Sequence, residues 1–467
     1  MAVILEFDRK EKQANLLQQV IVKPILEQLN EECVAMIDRI LIDFEREGKF
    51  DLEAIEFYIR DEVHRYGAMI LEKILKFEEG AAVNSECECS GTFYNHKKRE
   101  KTVVTVLGDV RLERDIQQCN KCGKWRALQD EVLDIKRSGY SPGVRKLLSK
   151  AGADLCFDAA SEHLHEFAGL RVTDKEIERI TEGIGQEISN EDDEAVRVQM
   201  SGDPPMSEAM PAKLYIACDG TGVPVLKKET EGRQGKGESG EAKTREAKLG
   251  CVFTQTACTS EGEPIRDAGS TSYVGRIETA EQFGNRIYAE AQRRGLENAG
   301  QVIFLGDGAP WIWNLAEQHF PKATQILDFY HAREHLEALS RLLRPEDQLA
   351  REMFSSSLVG KLRQGLVLDI IAELKKLELS GKKRKERDRE VEYFEKNQSR
   401  MRYNEFREAG LFIGSGAIEA GCKSVIAHRL KQSGMRWSVR GANTIIALRC
   451  RIKSARFEDY WEQRLAA

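Results

Sequence analysis

Apolar residues near the start of the chain recur at steps of three and four. Leu16, Leu17 and Val20 are followed by Ile25, Leu26 and Leu29, then by Val34, Met36, Ile37, Ile40 and Leu41. Residues 51–76 repeat the pattern, which is the signature of helices burying one face, so 1–80 is expected to be a helical N-terminal region. Between 83 and 130 the period changes. Thr102–Val106 is rich in β-branched residues and Gly108-Asp-Val-Arg-Leu-Glu-Arg alternates, which predicts a hairpin. Residues 140–190 read as three short helices. The first begins at Ser141-Pro-Gly, the second covers Phe157–Ala168, and the third runs from Asp174 to about Ile188. Thr173 is its expected cap, with Glu176 at the capping-box position. Helix, short turn and helix make a helix-turn-helix-like module. The third helix carries Asp174, Glu176, Glu178, Glu182 and Glu187, which repel phosphate, so a base reader and a plain packing unit both stand.

Residues 190–212 are acidic and then Pro- and Ser-bearing, and read as a linker; 227–248, rich in Gly, Lys and Glu, reads as a loop. From Lys213 the predicted order is strands at 213–218, 249–256 and near 264–268, a helix at about 277–294, strand 301–305, helix 310–319, strand 323–327 and helix 331–343. Strands followed by alternating helix and strand match a ribonuclease-H-like sheet, in which the first and fourth strands are neighbours. Residues 345–410 are charged and helical and look inserted ahead of a last helix. The expected fold is therefore α+β and multidomain: helices over 1–80, a zinc-ribbon-like module over 83–130, the helix-turn-helix-like module over 140–190, and an α/β catalytic domain over 213–460 with its insertion.

A chain of 467 residues has ample length for several cores. No apolar run approaches the roughly 20 residues a membrane helix needs, and the opening residues lack a signal-peptide layout, so a cytoplasmic, nucleoid-associated protein with no membrane partner is expected. The net charge of −6 says nothing for nucleic acid, but its distribution does. Gly421 to Phe457 holds nine Lys or Arg and no Asp or Glu, which favours contact with DNA phosphates over a merely solvated face. Of the 11 cysteines, Cys33, Cys156, Cys218 and Cys251 sit in apolar contexts and read as core. Cys87, Cys89, Cys119 and Cys122 bracket the hairpin as the ligands of a structural Zn²⁺ would. Cys87-Glu-Cys89 is one residue tighter than the usual knuckle, and His96 is an alternative ligand.

Three acids stand out. Asp219 follows the apolar run Leu214–Cys218, Asp307 follows Val302–Leu305, and Glu419 opens the basic segment. Carboxylates at two strand ends and on one helix can meet in space and hold two Mg²⁺ or Mn²⁺ ions for phosphate chemistry. Lys423, four residues after Glu419, is expected on the same helix face, as a phosphate contact or an ion-pair partner. Trp311 and Trp313 are expected to pack, with base stacking as the other reading.

Five ordered blocks carry a resemblance: Asp219-Gly-Thr-Gly-Val-Pro, Gly306-Asp-Gly-Ala-Pro-Trp-Ile-Trp313, Ile326-Leu-Asp-Phe-Tyr-His-Ala-Arg-Glu-His-Leu336, Gly414-Ser-Gly-Ala-Ile-Glu-Ala-Gly-Cys-Lys423 and Arg429-Leu-Lys-Gln-Ser-Gly-Met-Arg-Trp-Ser438. Over roughly 85–460 the chain resembles bacterial insertion-sequence transposases of the Kra-four family, within the Mutator-like DDE class. The resemblance implies that Asp219, Asp307 and Glu419 form the DDE triad, and that Asp328 and His331 form the Asp-x-x-His signature of such enzymes. His331 and His335, four apart, share a helix face and are read as structural before metal-binding. Arg429, Lys431, Arg436 and Trp437 are candidates for DNA contact or support of the site. The implied partners are double-stranded DNA at terminal inverted repeats, target DNA and further copies of the chain. The rival reading is a non-catalytic DNA-binding protein derived from a transposase.

Overall fold

The long hairpin of the N-terminal half forms around one glycine turn. In the computed structural model, which describes residues 22–47, 51–77, 86–201, 207–235 and 240–466, β1 (Phe93–Thr105) pairs antiparallel with β2 (Gly108–Cys119). Gly108 takes φ +117°, a conformation that favours glycine, and so closes the turn. Both strands run longer than the alternating pattern predicts, because their charged outer halves pair across the ladder, as Lys98 does with Glu113 at 3.0 Å. Helices α1 (Lys23–Glu47) and α2 (Leu52–Phe77) are joined by the Tyr66 hydroxyl, which donates to the Glu32 carbonyl at 2.7 Å. Ala68, Leu71 and Leu75 of α2 pack on Val103, Val110 and Leu112 of the hairpin. Leu16, Leu17 and Val20 lie outside the described residues. Strand β3 (Trp125–Ala127) joins β2, and α3 (Leu128–Val132), α4 (Pro142–Asp154) and α5 (Phe157–Ala168) follow.

Chain contacts divide the protein into two units, Met1–Gly152 with Phe157–Ile180, and Ala153–Cys156 with Thr181–Ala467. Helix α6 (Asp174–Met200) starts in the first and ends in the second. Thr173 accepts from the Glu176 N–H at 3.4 Å, but the Glu176 carboxylate turns to Arg179, so the capping box is half made.

Helix α6 runs twelve residues past the end the sequence suggested, through what read as linker. The acids that looked solvated are paired. Asp193 takes Arg276 at 2.6 Å and Arg286 at 2.9 Å, Arg451 takes Asp192 at 2.8 Å and Glu191 at 3.2 Å, and Glu187 takes Tyr460 and Arg464. Burial works against the Arg286 charge, but the hydrogen bonds and charges of Glu278 and Asp193 outweigh it and hold that guanidinium above its ordinary value.

The second unit is built on five strands in the order β10-β9-β4-β5-β8. They are β4 (Lys213–Pro224), β5 (Thr244–Gln255), β8 (Ser272–Arg276), β9 (Gln301–Gly306) and β10 (Thr324–Leu327), with β6 (Ala257–Cys258) and β7 (Pro264–Ile265) forming a separate ribbon. The β4–β5 and β5–β8 pairs are antiparallel; β4–β9 and β9–β10 are parallel. The third strand of the sheet is thus 272–276, not the expected 264–268, whose Pro264 and Ile265 form only the short ribbon. Strand β5 also starts five residues early, inside the expected loop, because it pairs with the far half of β4. Helices α7 (Ala280–Arg293), α8 (Pro310–His319) and α9 (Phe329–Leu343) alternate with the later strands.

Helices α10 (Gln348–Arg363), α11 (Val367–Lys375), α12 (Gly381–Asn397) and α13 (Tyr403–Glu408) follow before α14 (Gly416–Gly421). A π-helical turn, Cys422–Ala427, leads into α15 (His428–Leu430); α16 (Val439–Lys453) and α17 (Phe457–Ala466) close the unit. Among the described residues no helix is long and apolar enough to cross a membrane.

Arg449 of α16 is 1% exposed. Its guanidinium donates to the carbonyls of Val425, Ser424 and Ala153 and pairs with Asp154 at 2.7 Å. Arg449→Ala leaves those buried acceptors unmet and is expected to destabilise the second unit by about 3 kcal/mol. Urea unfolding measures this; a change below ~1 kcal/mol would show that water replaces the guanidinium without penalty.

Candidate active site

The parallel register of β4 and β9 ends at Ala217↔Leu305. Asp219 and Asp307 each stand two residues beyond that pair, so both follow the same end of the ladder. Asp219 is not at a strand end, as the sequence suggested. It lies within β4, opposite Leu249 of β5, and no turn forms at Asp219-Gly220. Asp307 does leave its strand, and Gly308, at φ +100°, lets the next N–H, that of Ala309, donate to the Asp307 carboxylate at 3.0 Å. Glu419 is exposed on α14, which packs over β4 and β5. Close approach needs Gly421, since a Cβ there would stand 2.6 Å from the Tyr273 ring.

The carboxylates feel one another. Burial raises the Asp219 carboxyl above the usual range. Hydrogen bonds from the Cys422 thiol at 3.3 Å and the Gly220 N–H at 2.6 Å pull it back, and the charges of Asp307 and Glu419 push it further up. Burial and the Asp219 charge push the Cys422 thiol up as well. The three acids do not close to the 4.8 Å mutual spacing that the four thiols of the hairpin reach. Asp219 is thus a half-buried carboxylate that feels the charges of Asp307 and Glu419.

Glu419 is oriented through a chain of contacts. The Ser415 hydroxyl donates to Glu419 Oε1 at 3.1 Å, and the Ser415 N–H donates to Asp328 Oδ2. Asp328 is 1% exposed and caps α9, accepting from the N–H groups of Tyr330 at 2.6 Å and His331 at 2.9 Å. One buried carboxylate thus ties the start of α9 to the start of the helix carrying Glu419. On the other side, Tyr393 of α12 stands by Gly308; burial and the charge of Asp307 push its phenol up.

The hairpin holds a second cluster. Cys87, Cys89, Cys119 and Cys122 bring their sulfurs within 4.8 Å of one another, with Cys87–Cys122 at 3.6 Å and Cys89–Cys119 at 3.5 Å. Tetrahedral Zn–S bonds of about 2.3 Å put sulfurs about 3.8 Å apart, so this cluster can hold a metal ion such as zinc. The tight Cys-x-Cys spacing is accommodated by Ser90 at φ +61° and by the Cys87 N–H donating to the Gly91 carbonyl at 2.8 Å. A Cβ on Gly91 would stand 2.7 Å from the Cys119 sulfur. The Cys119 thiol is pushed down to about 6, first by the Cys122 N–H, which favours the thiolate a metal needs. His96 packs edge-on against Trp125 at 4.7 Å.

Comparison with known proteins adds a family match. The sequence model of an uncharacterised protein family, UPF0236, matches residues 278–462, a stretch that includes Asp307 and Glu419 but not Asp219. A UPF0236 protein of Caldanaerobacter subterraneus subsp. tengcongensis is 24% identical over 358 residues, covering 76% of this chain and 68% of the relative. Its name strings together eleven locus designations. Among solved structures, the Drosophila P element transposase strand transfer complex aligns over 68% of this chain and 79% of its own at 12% identity, with a TM-score of 0.24, too low to carry an argument.

The remaining candidates separate into surface and interior. Lys423 is exposed but forms no ion pair with Glu419, and the π turn that begins at Cys422 breaks the α-helical spacing on which a shared face depended. Arg436 is exposed, and Lys431 is exposed with its amine on the Thr221 hydroxyl. Arg429 is fully buried, its guanidinium 4.9 Å from the Trp437 ring centre, and Trp437 is itself buried, its indole N–H on the Leu430 carbonyl. The basic stretch is therefore not one phosphate-facing surface: Arg429, Arg449 and Arg451 are internal, with Arg449 paired to Asp154 and Arg451 to Asp192 and Glu191 of α6. His331 lies edge-on to His335 at 5.0 Å, while His335 bonds Glu390 at 2.7 Å and stacks on Tyr393 at 4.1 Å, in keeping with the structural reading of the pair. Trp313 packs on Phe304 beneath Arg400, and Trp311 is half-buried against Phe283. Ser415 and Cys422 were passed over in the sequence. The four-residue step from Ser415 to Glu419 was the available signal for the first; nothing in the sequence paired Cys422 with Asp219, 203 positions earlier.

Proposed function

We propose that the chain is a DDE-type DNA transposase of the Kra-four, Mutator-like class, cutting at the terminal inverted repeats of an insertion sequence and joining the ends to target DNA. The observation that supports this reading is the β4–β9 register, which ends two residues short of both Asp219 and Asp307, with the helix of Glu419 packed on the same strand. The strand order β10-β9-β4-β5-β8, with only the β5 pairings antiparallel, supports a ribonuclease-H-like catalytic domain, and helices α10 to α13 fit its insertion. A relative whose name joins eleven loci of one organism is in keeping with a gene that spreads.

Asp219, Asp307 and Glu419 are the residues to hold two Mg²⁺ or Mn²⁺ ions. Such ions activate water or a DNA 3′-hydroxyl and stabilise the departing oxygen. The chain's own part is to aim the carboxylates. Cys422 and the Gly220 N–H fix the Asp219 oxygens, Ala309 fixes Asp307, and Ser415 fixes Glu419. Assembly of two or more copies follows from the need to process two ends together.

The test is incubation of purified protein with Mg²⁺ and labelled DNA carrying the inverted repeats that flank the gene. Nicked and joined products are expected. DNA that is shifted but never cut would leave the non-catalytic DNA-binding reading in its place.

A further inference from the structure

A cleft of about 510 Å³ opens beside the first residues of α14, between α9, the end of α10, α13 and the β6–β7 ribbon. Its floor is apolar: the buried Phe329 and Leu411, and the half-buried Phe412. Its rim carries three guanidinium groups, on Arg333, Arg363 and Arg407, and one aromatic ring, Tyr330, that is 57% exposed. An exposed tyrosine over an apolar floor, ringed by cations, is the chemistry that receives a base and its phosphates.

The ring is held in place. A Cβ on Gly414 would stand 2.8 Å from the Tyr330 ring, so the glycine lets that ring lie on the chain leading into α14. Tyr330 also follows Asp328, whose side chain accepts from its N–H. The platform and Glu419 are thus fixed by the same buried carboxylate. The cations are available. Arg333, itself exposed, pairs with half-buried Glu337 at 2.6 Å, and exposed Arg407 pairs with Glu263, the one acid of the lining, at 3.6 Å. Exposed pairs of this kind are weak and give way to a phosphate, which accepts bidentate hydrogen bonds from arginine. Arg363 lies 6.0 Å from the Phe329 ring centre, on the edge of the floor. A cleft of this volume is within the usual range for a ligand of nucleotide size.

We infer that this cleft binds a single-stranded nucleotide step of the DNA adjoining the phosphate under attack, with Tyr330 stacking on one base and Arg333, Arg363 and Arg407 gripping the flanking phosphates. The inference rests on the nucleic-acid reading of the neighbouring carboxylates, but it needs no cleavage to be tested.

The experiment is fluorescence anisotropy of fluorescein-labelled (dT)₁₂ with the full chain in EDTA. Wild type binds, and binds the single strand in preference to a duplex of equal length. Tyr330→Ala weakens binding about tenfold, as expected for one lost stacking contact, while Tyr330→Phe does not. Arg363→Ala lowers the slope of log affinity against log salt by about 0.7, the share of one phosphate on a single strand. The binding is read in EDTA, which separates this cleft from the metal chemistry. Equal binding by wild type and Tyr330→Ala, an unaltered salt slope, or no preference for the single strand each overturns the proposal. Loss of cutting by a wild-type protein that still shows the tyrosine-dependent binding would instead strike the transposase reading alone.

Discussion

Asp219→Asn is expected to lower Mg²⁺-dependent DNA cleavage by about a thousandfold or more while leaving DNA binding intact and making the metal-free protein more stable. The activity loss would follow because an amide cannot supply the negative charge with which Asp219 would hold a divalent cation. The gain in stability follows from the sign of the shift at Asp219. Burial, with Asp307 and Glu419 adding to it, raises this carboxyl in the folded chain. The folded state therefore binds the proton more tightly than the unfolded state does. Its contribution to stability is complete below the unfolded carboxyl range and is lost as pH rises through the raised folded value. At neutral pH the ionised Asp219 costs stability, and asparagine removes that cost. In EDTA the melting temperature should rise. The difference should shrink in acid, where the wild-type carboxyl is protonated. Undiminished cutting would remove Asp219 from the site, and an unchanged melting temperature would show that its carboxylate is not crowded by the other two.

Zinc removal is the second large effect. Protein prepared under reducing conditions should carry one zinc per chain, measured by atomic absorption, and Cys119→Ser should lose it. Structural zinc contributes about 10–16 kcal/mol of binding free energy in small zinc-finger peptides, so an end of a hairpin closed by four thiols should not stay ordered without it. The effect should be local. The turn end of β1 and β2 is held by Ala68, Val103, Val110 and Leu112, whereas the open end is held by little besides Cys87, Phe93 and Cys119. Hydrogen exchange in Cys119→Ser should rise steeply around residues 87–95 and 117–124 and stay slow around 103–112. Equal protection along the whole hairpin would show that it folds without metal.

The sequence was most legible where burial imposes a period. The apolar runs 214–218 and 302–305 became β4 and β9 because both are inside the sheet, and the helix at 310–319 was bounded by Pro310 and the polar residues after it. It was least legible where charge is used internally. Asp192 and Asp193 looked like a linker because their partners, Arg451, Arg276 and Arg286, come more than eighty residues later. Arg429 and Arg449 looked like a DNA-facing surface for the same reason: nothing local reveals that a guanidinium is stacked on Trp437 or capping the Val425 carbonyl. The short strand at 264–268 misled because Ile265 sits next to proline, which supplies no N–H to a central ladder. The three acids stood out as residues, but nothing local showed that the β4–β9 register ends just before two of them, or that Gly421 lets the helix of the third settle on the sheet.

Helices α10 to α13 lie between Asp307 and Glu419 in the chain. A ribosome therefore completes the sheet, with Asp219 and Asp307 already aligned, well before it adds the third acid. During that interval the growing polypeptide has two of its three carboxylates and no α14 to bring the last one across. On the transposase reading proposed above, a nascent chain would gain the ability to cut only once translation has passed the inserted helices.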